Sequence, residues 1–452
     1  MSGKLSNQPW NDAVPEVHQT PGYFVRRSFW MLMLVMSVIQ FTAAWLYPAT
    51  SFGGTESLIT EKALGVPFQY LLWLMVLTGF FLHTTGQGFD FLMRVLKPWL
   101  PLIVVGIVAS VFGAQPFVSL RSMMLWILMA LSAAMVVGEM PPKKALVALM
   151  RGMFAIVLLS VVMALLVPKV GTQLYGTSTK VWRGVFTQKN QLGWVAALTL
   201  IIGGTLISRQ SWRLPAAMVV LAAACLLGSG SKGALAATML SIGYLFLIHL
   251  LRTRVTPALG VTTVIVLTMS IAVFGIFILP PILSALGHDP TFSGRTTVWS
   301  VYFNSMLNTP FIGEGPGAYT SLSELTSPLA MRLGELGAIV TPHNAFLGSF
   351  GDGGVLGFLA FFGVLFYLAV VAPFLRQDRI TLTCAGVAAF NMVHGMVETH
   401  EVFAAGVGWY CMIFLRAVTL RELARVPVAR IQTTPLARSS SGPGTQSLKR
   451  FP

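Results

Sequence analysis

Apolar runs long enough to cross a bilayer recur about twelve times in this chain, near 28–47, 66–83, 99–116, 121–138, 152–168, 191–208, 214–230, 233–251, 257–280, 354–374, 380–399 and 402–418. Roughly 20 apolar residues in helical rise span the hydrocarbon core, where the backbone must satisfy its own hydrogen bonds, so such runs fold as helices. The mean hydropathy of +0.75 agrees. So does a charged fraction of 10% over 452 residues, against roughly 25% in a soluble domain. The expected fold is an all-α polytopic membrane protein. The seventh run is short, and the eleventh carries Asn391, His394 and Glu398. No repeat of about 20–50 residues is visible.

Lysine and arginine give the orientation. Arg26 and Arg27 precede the first run, and alternate turns then carry Arg94 and Lys97, Lys143 and Lys144, Arg209 and Arg213, Arg252 and Arg254, and Arg376 and Arg379. Basic turns of one parity mark the cytoplasmic side. The chain divides into a cytoplasmic segment 1–27, transmembrane helices 1–9 over 28–280, a periplasmic loop 281–353, helices 10–12 over 354–418, and a basic cytoplasmic tail 419–452. The tail from about Thr433 reads as disordered, and the first run is long enough to span rather than to be a cleaved signal. The net charge of +15 is scattered between apolar runs instead of forming a stripe with aromatics, which excludes nucleic acid as a partner. Cys225, Cys384 and Cys411 all lie in apolar runs, which excludes a disulfide framework and a cysteine metal site.

The one long polar segment runs from about Pro281 to Gly354. It holds His288, Asp289, Ser293-Gly294-Arg295, Trp299, the series Gly313, Gly315 and Gly317, and Thr341-Pro342-His343-Asn344. Loops of this length in compact proteins are usually functional. One other outward turn breaks the charge rule. Lys169, Lys180, Arg183 and Lys189 gather there with no acidic residue, in Val181-Trp182-Arg183-Gly184-Val185-Phe186-Thr187-Gln188-Lys189-Asn190-Gln191-Leu192-Gly193. Such a cluster suits a phosphate or pyrophosphate; positives resting on lipid headgroups are the plainer reading. A third knot, Gly228-Ser229-Gly230-Ser231-Lys232-Gly233, lacks the spacing of a nucleotide-binding glycine loop. Lys232 at a helix start can meet an anion, or the knot is an interhelical turn.

Three pieces in this order resemble the O-antigen ligase and polysaccharide polymerase superfamily. They are Arg183-Gly184-Val185-Phe186 with Asn190 and Gly193, then Ser229, Ser231, Lys232 and Gly233, then Ser293-Gly294-Arg295 with Trp299 running to His343-Asn344. The last continues through Asn308-Thr309-Pro310, Gly313 and Gly315, and closes with Gly351, Gly354 and Gly357 as the next helix begins. The likeness covers roughly residues 180–375. Lys232 stands where members often carry arginine, keeping the charge but losing the bidentate fork.

The resemblance implies a GT-C-like glycosyltransferase bundle of the bacterial inner membrane, with both termini cytoplasmic and a periplasmic active site. Its donor is a saccharide on undecaprenyl pyrophosphate, its acceptor a sugar hydroxyl, and no cofactor or metal is implied. Membrane lipid, a chain-length regulator and a flippase are the other implied partners. Arg183 and Arg295, supported by Lys189 and Lys232, are the candidates for the leaving pyrophosphate. His343 is the candidate base, with His288 and His394 as alternatives. Asn190, Ser231, Trp299, Asn344 and Gly315 are supporting candidates. Asn344 also fits a helix cap, Trp299 an interface anchor, the glycines tight turns, and Asp289 or Glu314 a partner for the base or for sugar hydroxyls. His394 and Glu398 fit a pair at i, i+4 inside a span. Phe186-Thr187-Gln188-Lys189-Asn190-Gln191-Leu192-Gly193 looks closer to exopolysaccharide polymerases than to ligases acting on lipid A core. A transporter or flippase of about twelve spans is the reading from another class; it usually shows two related halves and midplane charges, and neither is visible here.

Overall fold

The computed structural model describes residues 21–44, 56–175, 179–273, 295–320, 326–332, 341–398 and 402–423. His288, Asp289, Ser293, Gly294 and the tail after residue 423 lie outside the described residues. The chain is mostly helical: α1 (Pro21–Thr42), α2 (Glu56–Gln87), α3 (Asp90–Leu96), α4 (Leu100–Phe112), α5 (Pro116–Glu139), α6 (Pro142–Leu166), α7 (Pro168–Gly171), α8 (Lys189–Leu206), α9 (Arg213–Ser229), α10 (Lys232–Arg254), α11 (Pro257–Val273), α12 (Arg295–Met306), α13 (Thr326–Arg332), α14 (Ala345–Phe366), α15 (Arg379–Gly395) and α16 (Val407–Leu423). Among the described residues, six helical stretches are long and apolar enough to cross a membrane: Pro67–Gly86, Asp90–Phe112, Pro116–Glu139, Pro142–Leu166, Lys232–Arg254 and Ala345–Leu375. Each of the twelve expected runs falls on a helix, but α9 and the described part of α11 are shorter.

Burial sorts these helices by role. In α16 every residue from Val407 to Leu415 is buried, as expected of a helix that is apolar all round. It packs on α5 and α15, with Trp126 and Phe361 edge-on to Trp409 and Tyr410 stacked on Phe41. In α4 and α10, by contrast, Val104, Phe112, Leu240 and Phe246 lie exposed, a surface that only an apolar surrounding tolerates.

Several expectations need correction. The fold is not wholly α: β1 (Thr172–Tyr175) pairs antiparallel with β2 (Thr179–Trp182) in the outward basic turn. Strands of four residues leave too little alternation to stand out in a sequence. The segment 281–353 is not all loop, since α12 and α13 lie within it and α14 begins at Ala345. Gly351, Gly354 and Gly357 therefore lie inside a helix that has already begun. Gly354, at φ 63 and ψ −163, kinks it. A Cβ there would lie 2.2 Å from the Phe311 carbonyl carbon, and the freed N–H of Val355 donates to Pro310 O at 2.8 Å. Only glycine lets the loop backbone replace a helical turn in this way. The eleventh run stops at Gly395, so Glu398 sits in a turn beyond the helix. The three cysteines are free and buried.

Candidate active site

His343 has a constrained backbone. Its φ of 47 is left-handed, one of two such non-glycine values among the described residues, and such strain gathers at functional sites. Its neighbours fix it from both sides. Pro342 offers its carbonyl to the Trp299 indole N–H at 2.9 Å, so α12 anchors the turn. Asn344 caps α14, its Oδ1 accepting from Leu347 N–H at 3.0 Å, while its Nδ2 donates to Met396 O at 3.3 Å. The imidazole is left half-buried with one edge outward.

Glu398 is the hub of the site. Its Oε2 lies 2.9 Å from His343 Nδ1. Its Oε1 accepts from Asn190 Nδ2 at 3.1 Å and lies 3.8 Å from Arg295 Nη2. Arg295 Nη1 also donates to Val397 O. An ionised carboxylate only accepts hydrogen bonds, so a neutral His343 carries its proton on Nδ1 and its lone pair on Nε2. The sequence shows Glu398 four residues after His394, and an internal pair is the natural reading. The structure places the Glu398 carboxylate on His343, and the buried His394 ring stacks on Phe390 with centroids 5.1 Å apart. Gly395, followed by the polar Glu398-Thr399-His400-Glu401, is the signal that ends the helix and frees Glu398.

The cations approach from two other pieces of chain. A Cβ on Gly193 of α8 would lie 2.7 Å from Ser231 Cβ, and one on Gly228 would lie 2.5 Å from the Trp182 ring. Glycine at both positions lets the hairpin, the start of α8 and the α9–α10 turn close together. Ser231 is buried there as the residue before α10. Burial and the neighbouring Lys232 ammonium hold the Lys189 amine below the ordinary lysine range, which shows two cations gathered at one place. Arg183 ends the hairpin, and its Nε donates to Val170 O at 2.8 Å. Asn190 follows Lys189 directly, so its bond to Glu398 carries the basic turn to the rim of the His343 site. Among the described residues no three His, Cys, Asp or Glu side chains gather closely enough to hold a metal ion.

Asn190, Arg295 and His343 thus meet on the Glu398 carboxylate, while Ser231 and Lys232 stand beside the start of α8. A family model described as O-antigen ligase matches residues 217–362. The match covers about a third of the chain and supports an O-antigen ligase-related superfamily for that stretch. A search of curated proteins found no match. The matched stretch holds Lys232, Arg295, Trp299, His343 and Asn344; Arg183, Lys189, Asn190 and Glu398 lie outside it. The apolar helices and the O-antigen ligase match indicate a membrane protein and support a function of the ligase or polymerase type.

A second polar knot buttresses the fold behind the site. Gly313, Gly315 and Gly317 have φ of 76, 97 and 88, a region only glycine enters freely. They wrap the loop onto α14. The fully buried Asp352 accepts from Gly317 N–H at 2.9 Å, Tyr319 N–H at 2.7 Å and Thr320 Oγ1 at 2.5 Å. The Glu314 carboxylate accepts from Thr309 Oγ1 at 3.0 Å. Gly315 therefore shapes the support rather than touching His343.

Proposed function

We propose that this protein transfers a glycan from undecaprenyl pyrophosphate to a sugar hydroxyl at the periplasmic face of the bacterial inner membrane, as a repeat-unit polymerase. The observation that carries the reading is the shared carboxylate of Glu398, with His343 Nδ1 on one oxygen and Asn190 and Arg295 at the other. In the reaction the acceptor oxygen bonds to the anomeric carbon and its proton passes to His343 Nε2. The bond from that carbon to the pyrophosphate oxygen breaks, and its electron pair leaves with undecaprenyl pyrophosphate. Glu398 keeps the ring in the accepting tautomer and stabilises the imidazolium that forms. Arg295, Arg183, Lys189 and Lys232 are the fixed cations for the charge that builds on the leaving group. All twelve apolar helices cross the membrane in this reading, as a GT-C-like bundle.

A polymerase and a ligase share this chemistry and differ in the acceptor. The Phe186–Gly193 motif favours the polymerase; a ligase joining polysaccharide to lipid A core is the second reading. Deleting the gene in its host and restoring it intact or as His343→Ala tests the choice. Single repeat units piling up on the carrier lipid, with polymer lost, support the polymerase. Long polymer stranded on the carrier beside unmodified lipid A core overturns it in favour of the ligase.

A further inference from the structure

α10 starts at the reaction site with Lys232, and α15 ends beside it: a Cβ on Gly233 would lie 3.1 Å from Val397 Cγ2. The same two helices meet again at their far ends. There Gln377 Nε2 donates to Arg252 O at 2.9 Å, and Arg252 Nη1 lies 3.5 Å from Asp378 O. From Lys232 to Arg252, α10 rises roughly 30 Å, the depth of a bilayer's hydrocarbon core. Arg252 therefore stands one membrane thickness from the reaction site.

Arginines gather at this second surface from three turns. Arg252 and Arg254 end α10, and Arg376 and Arg379 lead into α15. Arg379 Nη1 donates to Ile207 O at 2.9 Å, which brings in the turn with Arg209 and Arg213. Among the described residues none of these arginines forms an ion pair. The acid beside them, Asp378, uses both carboxylate oxygens to cap α15, accepting from Thr381 N–H and Thr381 Oγ1, each at 2.7 Å. Exposed cations at helix ends simply mark one side of a membrane. Arg252 is different, because it keeps only 8% of its surface. Its Nη2 lies 3.3 Å from His249 Nδ1. Its Nε and the Nη1 of Arg376 are buried with no hydrogen-bond acceptor among the described residues. Buried charge is ordinarily paired, and orphaned donors of this kind point to an anion. Apolar surface adjoins them. Leu250 and Leu375 are exposed close by in the chain, as is Leu259 of α11, next to the Gly260 that packs on the Phe374 ring.

We propose that Arg252, Arg376 and Arg379 bind the phosphate of an anionic phospholipid in the leaflet opposite the reaction site, with its acyl chains along Leu250, Leu259 and Leu375. Guanidinium forks match phosphate oxygens, and basic pockets between helix ends take lipid headgroups. A free phosphate matches the cations alone, whereas a phosphate with apolar tails matches the leucines as well. The bound lipid ties α10 to α15 and so steadies, from across the membrane, the helices that carry Lys232 and the Glu398 turn. The inference stands whether or not the donor is a prenyl pyrophosphate.

Native mass spectrometry and thermal unfolding of the purified full-length protein in neutral detergent test this, with phosphatidylglycerol, phosphatidylcholine and inorganic phosphate as probes. Phosphatidylglycerol is expected to bind saturably and to raise the unfolding midpoint; the other two should do neither. Arg252→Gln together with Arg376→Gln should weaken that binding about tenfold or more. Arg94→Gln together with Lys97→Gln removes as much charge from another basic turn and should leave it unchanged. Equal loss in both pairs overturns the proposal and makes the attraction a diffuse one to positive charge. The same rise with inorganic phosphate overturns the lipid and leaves an ion site, and the absence of saturable phosphatidylglycerol binding overturns the site outright. If the first pair does not fold, Arg376→Gln alone, at a half-buried position, serves the same comparison.

Discussion

His343 Nδ1 lies 2.9 Å from Glu398 Oε2 although 55 positions of chain separate them. The contact joins the turn before α14 to the turn after α15, which is itself tied to its helix by Glu398 N–H donating to His394 O at 3.0 Å. Asn344 reaching Met396 O and Arg295 reaching Val397 O add to the contact beside it.

Glu398→Gln keeps the shape of that contact but lets the amide donate toward Nδ1, which favours the tautomer with its proton on Nε2. Turnover is expected to fall about 10²-fold or more, as does His343→Ala, since a positioned base contributes roughly 10²–10⁴. The double variant should be little worse than either single one, because residues acting as a unit are not additive. Steady-state rates with donor binding measured in parallel check this; additive losses would separate the two residues.

Arg295→Lys keeps one charge but cannot serve the Val397 carbonyl and Glu398 together through a planar fork. Activity is expected to fall at least tenfold (about 1.4 kcal/mol of transition-state stabilisation) with the protein still expressed and folded. Arg183→Lys is expected to behave likewise. Full activity in either variant removes that residue from the pyrophosphate role.

The pH dependence follows from Lys189. Burial and Lys232 both lower its pKa, and only the protonated ammonium binds an anion. Donor capture, read as kcat/KM, should therefore fall as pH rises through that lowered pKa. Lys232→Gln removes one of the two lowering causes, so the alkaline limb should move to higher pH even as its height drops. A limb that stays in place or moves down shows that Lys189 is not the titrating group.

Asp352 gives a structural control. Asp352→Ala leaves the N–H groups of Gly317 and Tyr319 without their buried acceptor, at about 1–3 kcal/mol each. The thermal unfolding midpoint in detergent should drop accordingly. Chelators, in contrast, should leave transfer unchanged, because the leaving group is stabilised by guanidinium and ammonium groups.

Much of this was legible in the sequence, for physical reasons that also mark where legibility ends. His343, Arg295 and Lys232 stand in polar segments between apolar runs, where residue type alone carries a signal. The association of Asn190 with Glu398 does not, since it depends on Gly193 and Gly228 letting elements close on one another. Glu398 is visible, but its contact with His343 is not, because helical spacing points to His394 until Gly395 is taken as the end of α15. The start of α14 at Ala345 is hidden because the glycines from Gly351 on read as the point where the helix begins. In the fold they give room to Tyr319, Phe403 and the Phe311 backbone.

The most direct measurement is transfer by the purified protein from an undecaprenyl-pyrophosphate-linked saccharide, following free undecaprenyl pyrophosphate and the extended glycan together. The account predicts that the two appear in equal amounts with the intact protein, and that His343→Ala still binds donor yet forms neither. Extension by His343→Ala at the intact protein's rate, or glycan growth without release of undecaprenyl pyrophosphate, would contradict it.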